Sequence, residues 1–138
     1  MKLVVIGCGR VGSAVARDFA ADGWEVTAVD QKKEALVRLG DAWEGRFVVG
    51  HGMDSQILRR AGAHEADAVV VATNGDNTNL VIAQVVQKRF GVENVVVRVL
   101  DPARAQFYAT LGLQTVCPTQ TAISELGNRV RRTAQVLA

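Results

Sequence analysis

The chain has no apolar run of 18 residues, so no segment reads as a transmembrane helix. Leu3 to Ile6 follows Met1 and Lys2 too closely to be the hydrophobic region of a secretory signal. A soluble, cytoplasmic protein is the expectation. Cysteine is scarce: Cys8 and Cys117 lie far apart, form no CxxC, and have only His51 and His64 to join them. Neither a disulfide framework nor a zinc site is indicated, and reducing surroundings fit best. Aromatic residues make up 5% of the chain and the net charge is only +2, which supplies neither a base-stacking platform nor the basic surface that nucleic acid requires. What is present is apolar: 49% of the 138 residues, without a linker, repeat or low-complexity tract. That is enough for one globular domain with its own core and too much for a disordered chain.

Much of this apolar content lies in short Val-rich runs: Leu3 to Ile6, Val26 to Val29, Phe47 to Val49, Ala68 to Ala72 and Val95 to Leu100. Unbroken runs without alternation suit parallel strands covered on both faces. Between them apolar residues recur at helical spacing, as in Val11, Val15, Ala16 and Phe19, in Leu36 and Leu39, in Ile57, Leu58 and Ala61, and in Leu80, Ala83, Val86 and Phe90. Gly23, Gly62, Gly91 and Gly112 punctuate the helix ends. A short sixth strand, Gln114 to Cys117, is ended by Pro118. The alternation predicts an α/β fold, a Rossmann-like doubly wound parallel sheet of six strands in the order 3-2-1-4-5-6. Residues 1–118 form the expected nucleotide-binding domain. Residues 119–138 form a last helix with Ile123, Leu126, Val130, Ala134 and Leu137 on one stripe, available to this sheet or to a partner.

Gly7-Cys8-Gly9-Arg10-Val11-Gly12 is a G-x-G-x-x-G placed directly after the first strand and at the opening of the first helix. In that context Gly7 permits a tight turn, Gly9 lets backbone approach a pyrophosphate, and Gly12 allows helix to pack close on strand. The free N–H groups of the helix N-terminus face the phosphates. Arg10 lies at this anion site, where phosphate contact is favoured over a solvated role. Cys8 is read as a small side chain that fits the turn, although a helix N-terminus can activate a thiol. Asp30 ends the second strand 18 residues beyond Gly12, followed by Gln31, at the place where a carboxylate accepts hydrogen bonds from the adenosine ribose. It repels a 2′-phosphate, an exclusion that Lys32 and Lys33 blunt, so NAD(H), ADP, ATP or AMP is expected over NADP. On local grounds alone Asp30 also reads as an N-cap of the helix containing Glu34 to Leu39, and the two roles are compatible.

Three more loops fall at carboxyl ends of strands, where open α/β sheets bind ligands. The first holds His51, Gly52 and Met53, the second Ala72, Thr73, Asn74 and Asn77, and the third begins at Arg98. Thr73 and Asn74 abut the cleft. Asp54 and Asp76, taken alone, read as caps of the helices that follow. Arg98 is either a cation aimed at the cleft or a chain that snorkels to solvent. No histidine is placed as an acid or base.

With the glycine loop, Asp30, the Gly50 to Asp54 loop, Ala72-Thr73-Asn74, Asp76 to Leu80, and Val97-Arg98-Val99 before Asp101-Pro102, the chain resembles the TrkA-N domain, also called the RCK or KTN domain. The likeness runs over essentially all of the sequence, including Leu111-Gly112-Leu113 and Cys117-Pro118. It implies a non-enzymatic, cytosolic gating subunit that binds NAD(H) or adenine nucleotide, assembles as a homodimer or higher ring, and controls a membrane potassium channel or transporter from its inner face. It also implies nucleotide contacts from the residues matching Gly7 to Val11, Asp30, Thr73-Asn74 and Arg98, and a crossover helix at Thr119 to Ala138 that embraces a neighbour. His51 stands where the family carries an acid. The competing class is the cofactor domain of an NAD-dependent oxidoreductase. Against that class, Tyr108 is the only tyrosine and has no lysine four residues later.

Overall fold

The apolar runs become the strands of one parallel sheet in the computed structural model, which describes residues 1–138. In chain order the elements are β1 (Lys2–Ile6), α1 (Arg10–Ala21), β2 (Glu25–Asp30), a 3-10 helix (Lys33–Leu39), β3 (Arg46–Val49), α2 (Ser55–Arg60), a 3-10 turn (Ala63–Glu65), β4 (Ala68–Val71), α3 (Asp76–Arg89), β5 (Val95–Arg98), α4 (Pro102–Thr110), β6 (Gln114–Val116) and α5 (Pro118–Leu137). The strand order is β3-β2-β1-β4-β5-β6, with every neighbouring pair parallel, which is the expected Rossmann-like order.

Successive side chains of β1 serve opposite faces. Leu3 and Val5 join Ala16, Val26, Ala28, Ala35 and Leu39 under α1 and the first 3-10 helix. Val4 and Ile6 join Leu58, Val69, Val71, Ile82, Val86 and Val97 on the other face. A strand with both faces covered must be apolar at every position, which accounts for the absence of alternation in the sequence. Gly23, Gly62, Gly91 and Gly112 each carry positive φ just past a helix end, as the punctuation predicted.

Three local expectations are corrected. The Glu34 to Leu39 segment is a 3-10 helix that buries Ala35 and Leu39 and leaves Leu36 43% exposed, so the apolar pair Leu36 and Leu39 does not share the buried side. Its N-cap is Lys32 without a side-chain bond, so Asp30 is not its cap. Gly75 is the N-cap of α3, and Asp76 instead receives Leu100 N at 2.7 Å and Asp101 N at 2.9 Å. Asp54 does cap α2, accepting from Gln56 N at 2.8 Å. The apolar runs also extend past the strands they form. After Ala72, which still makes a ladder bond, the backbone turns to a side-chain acceptor, Asn79, and after Val99 it turns to the Asp76 carboxylate.

α5 stands apart from this packing. None of its residues is buried, and Ile123, Leu126 and Val130 are 55%, 67% and 69% exposed. No helix of the structure is long and apolar enough to cross a membrane.

Candidate functional site

β1 ends at Ile6, and Gly7 turns the chain at φ +96° with its N–H donated to Val29 O at 2.8 Å. A Cβ on Gly7 would lie 2.6 Å from Ala72 O and 2.8 Å from Thr73 N, so only glycine lets the first loop touch the loop after β4. A Cβ on Gly12 would lie 1.7 Å from Gly7 O, which is the close helix-on-strand approach read from the motif. A Cβ on Gly9 meets nothing within 4 Å, and no side chain caps the α1 N-terminus that Gly9 opens. The space above Gly9, Arg10 and Val11 is therefore open, and the uncapped end of α1 presents backbone donors and the positive end of its dipole there. Arg10 and Val11 are exposed at its rim.

Cys8 faces inward and is fully buried. Burial first, and then the neighbouring Asp30 carboxylate, push its thiol up to about 12, so it is an inert filler of the turn despite the helix end beside it. Asp30, half-buried, accepts Cys8 N through Oδ2 and Lys32 N through Oδ1, both at 2.9 Å. Its carboxylate is thus locked to the glycine loop with lone pairs to spare for a ligand hydroxyl. Gln31 is exposed beside it. Arg38, which the sequence patterns do not mark, reaches back from the 3-10 helix to Cys8 O at 3.5 Å, and its charge opposes that of Asp30 at the Cys8 thiol.

The β3 loop lies over the end of β1: a Cβ on Gly52 would come within 2.6 Å of Ile6 Cγ2 and 2.8 Å of Ile82 Cδ1. His51 accepts Met53 N on Nδ1 at 3.1 Å, which ties the imidazole to its own loop, and Met53 is 48% exposed.

The loop after β4 is held by a network that local patterns do not reveal. Asn79, 1% exposed, accepts Thr73 N (2.9 Å) and Thr73 Oγ1 through Oδ1, and donates Nδ2 to Thr73 O (3.1 Å) and to Arg98 O (3.0 Å). Arg98 donates Nη2 to Thr73 O and to Ala72 O, and its Nε is buried without a partner. Its guanidinium therefore backs the loop instead of snorkelling to solvent. Asn77 accepts Arg104 Nη1 of α4 at 2.7 Å, while Asn74 is exposed. One signal did point to Asn79: it occupies the same helical stripe as Ala83, Val86 and Phe90, and a polar side chain on a buried stripe demands partners.

The predicted loops thus converge on the carboxyl ends of β1, β2, β3 and β4, the switch point where open sheets bind ligands. A separate groove of about 630 Å³ lies at the amino-terminal ends of β2 and β3, lined in part by Trp24, Trp43, Arg17 and Arg46, and shares no residue with this cleft. No group of histidine, cysteine or acidic residues is arranged to hold a metal ion.

Comparison with known proteins bears on this geometry directly. The family described as TrkA-N domain matches residues 3–119. The Trk system potassium uptake protein TrkA of Streptomyces coelicolor is 41% identical over 130 residues, covering 94% of this chain and 58% of that protein. Its counterpart in Vibrio alginolyticus is 35% identical over 102 residues, covering 74% of this chain and 22% of that protein. The chain thus spans little more than half of the first relative and less than a quarter of the second. Among solved structures, the Kef C-terminal domain of Shewanella denitrificans in its AMP-bound form has a TM-score of 0.82 at 22% identity, covering 97% of this chain and 82% of that one. The structure of GsuK bound to ADP has a TM-score of 0.80 at 22% identity, covering 96% of this chain and 34% of that one. At these identities the likeness is one of fold.

Proposed function

The chain belongs to the TrkA-N domain family, and from that premise we propose that it is the nucleotide-binding regulatory domain of a potassium-uptake system. It binds NAD(H) or an adenine mononucleotide in the cleft above the glycine loop. It pairs with a second copy through α5 and acts from the cytoplasmic side on a membrane channel or transporter. The observation that carries the reading is the open space over Gly9 at an uncapped helix N-terminus, with Asp30 fastened beside it, in a chain matched to the family over residues 3–119. Phosphate meets the N–H groups of Arg10 and Val11 and the Arg10 guanidinium, and the ribose diol meets Asp30 and Gln31. The His51-Gly52-Met53 and Ala72-Thr73-Asn74 loops wall the ligand, with Asn77 and Arg98 behind the second. Relatives that share this family carry potassium uptake in their names, and fold neighbours have been solved with AMP and ADP, which supports both halves of the reading.

In this reading the chain performs no chemical step. Its output is a difference in ligand affinity between two arrangements of the assembly, for which a coupling of about 1 to 3 kcal/mol suffices. Calorimetric titration tests the binding half. NADH is expected to bind once per chain, and Asp30→Ala is expected to weaken it at least tenfold, since a hydrogen bond to a charged group contributes about 1.5 to 3 kcal/mol. Undiminished binding by a folded Asp30→Ala chain would sink the assignment.

A further inference from the structure

We propose that Asn79 is a positioning residue that sets which nucleotides the cleft prefers: by fixing the Thr73–Asn74 backbone, it favours a dinucleotide over AMP. The inference rests on the nucleotide reading above and adds to it a residue that touches no ligand.

Asn79 is buried on α3 and directs three of its four hydrogen bonds to one residue of one loop. Thr73 is held by its N–H, its hydroxyl and its carbonyl oxygen, and the fourth bond, from Nδ2 to Arg98 O, fastens that loop to the end of β5. Arg98 closes the clip from the other side through Nη2 on Ala72 O and Thr73 O. Each bond to a buried partner is costly to lose, because the group left behind stays desolvated. The loop so held lies directly against the glycine loop, where a Cβ on Gly7 would come 2.8 Å from Thr73 N. Without the clip, Thr73 and Asn74 keep only the covalent chain, the last ladder bond from Ala72 N to Ile6 O, and a bond within the loop from Gly75 N to Thr73 Oγ1 at 3.4 Å.

Position in the sheet determines which part of a ligand feels this. Asp30 ends β2, and an adenosine ribose there puts its first phosphate on the glycine loop after β1. AMP is then complete on the β2–β1 side of the switch point. A dinucleotide continues across it, carrying its second phosphate and second ribose over β4, whose exit is Thr73–Asn74. A wall loosened at that loop removes preorganised contacts from the second half of the ligand and leaves the first half on Asp30 and Arg10.

The experiment is calorimetric titration of NADH and AMP into the wild-type chain, Asn79→Asp and Asn79→Ala, with the unfolding midpoint of each recorded. Asn79→Asp keeps shape and the Oδ1 acceptor but loses both donors. Asn79→Ser keeps a small polar group that is too short to reach Thr73 and Arg98 O together, and serves if the other two variants do not fold. The ratio of NADH to AMP affinity is expected to fall at least tenfold in every folded variant. An unchanged ratio, whether both affinities drop together or neither moves, overturns the positioning role while leaving the nucleotide reading intact. A wild-type chain that binds neither ligand overturns both. A general loss of structural integrity would not move the ratio, so the ratio separates positioning from a merely structural effect.

Discussion

Gly9 and Gly12 lie three residues apart and answer to different constraints. A methyl group on Gly12 would sit 1.7 Å from a backbone oxygen that cannot step aside, so α1 must lift from β1. Gly12→Ala is expected to lower the free energy of unfolding by about 3 kcal/mol or more, read from urea denaturation. Gly9 adopts φ −75° and its missing side chain faces open space, so Gly9→Ala is expected to change stability by less than about 1 kcal/mol. In the proposed complex the same methyl stands where a pyrophosphate approaches, and NADH affinity is expected to fall at least tenfold. Equal stability of the two variants, or full NADH affinity in Gly9→Ala, contradicts this division of roles. Cys8 yields a chemical test. With its thiol pushed up to about 12 it stays protonated at pH 8, so iodoacetamide is expected to label the half-buried Cys117 and spare Cys8 until the chain is unfolded, as peptide mass spectrometry would report. The sign for stability follows from the same shift. Above the ordinary thiol value of 9.0 the unfolded chain loses this proton and the folded chain keeps it, so this residue's contribution weakens between pH 9.0 and about 12.

At the scale of elements, α5 is the part whose physics is incomplete in one chain. Its stripe of Ile123, Leu126 and Val130 stays exposed on a 20-residue helix, which a second copy covers in the proposed dimer. Leu126→Glu with Val130→Glu is expected to convert the dimer to a monomer in analytical ultracentrifugation while the unfolding of the Rossmann portion stays the same. A wild-type chain that is already monomeric contradicts the assignment of α5 as a dimer helix. The strands were legible because parallel strands covered on both faces leave continuous runs such as Leu3 to Ile6 and Val95 to Val97, and the glycines past each helix announced the turns. The buried side of the Glu34 to Leu39 segment is not legible, because two apolar residues are too few to define a face and Ala35, not Leu36, packs inward with Leu39. Asp76 was misread for a related reason: its partners, Leu100 N and Asp101 N, lie 24 and 25 residues away, beyond any local capping rule. Arg38 lies beyond local patterns in the same way, since its bond to Cys8 O spans 30 residues, whereas Asn79 is marked by its place on a buried stripe and only its bond to Arg98 O, 19 residues away, is hidden. The glycine loop and Asp30 were visible from spacing alone because their geometry is set by the strand–turn–helix unit that contains them.

On the scale of the whole molecule, the fold divides labour across its sheet. The carboxyl ends of β1 to β4 gather the glycine loop, Asp30 and the clipped Thr73 loop into one cleft. The far edge, through β5 and β6, leads to the head of α5, where Cys117 caps the helix by accepting Gln120 N at 3.4 Å and donates to Leu100 O at 3.5 Å. Leu100 N is in turn bound by Asp76 at the start of α3, so the β5–α4 loop is fastened to a helix that borders the cleft and to the helix proposed to bind the neighbour. A ligand that favours one geometry of this arrangement gains a route to the proposed dimer. All of this depends on the cleft holding an adenine nucleotide, and thermal unfolding of the wild-type chain with and without NADH tests that claim most directly. A ligand at 100 times its dissociation constant adds about 2.7 kcal/mol, so the midpoint is expected to rise on the order of ten degrees. A midpoint that moves with none of NADH, AMP, ADP and ATP would contradict the account.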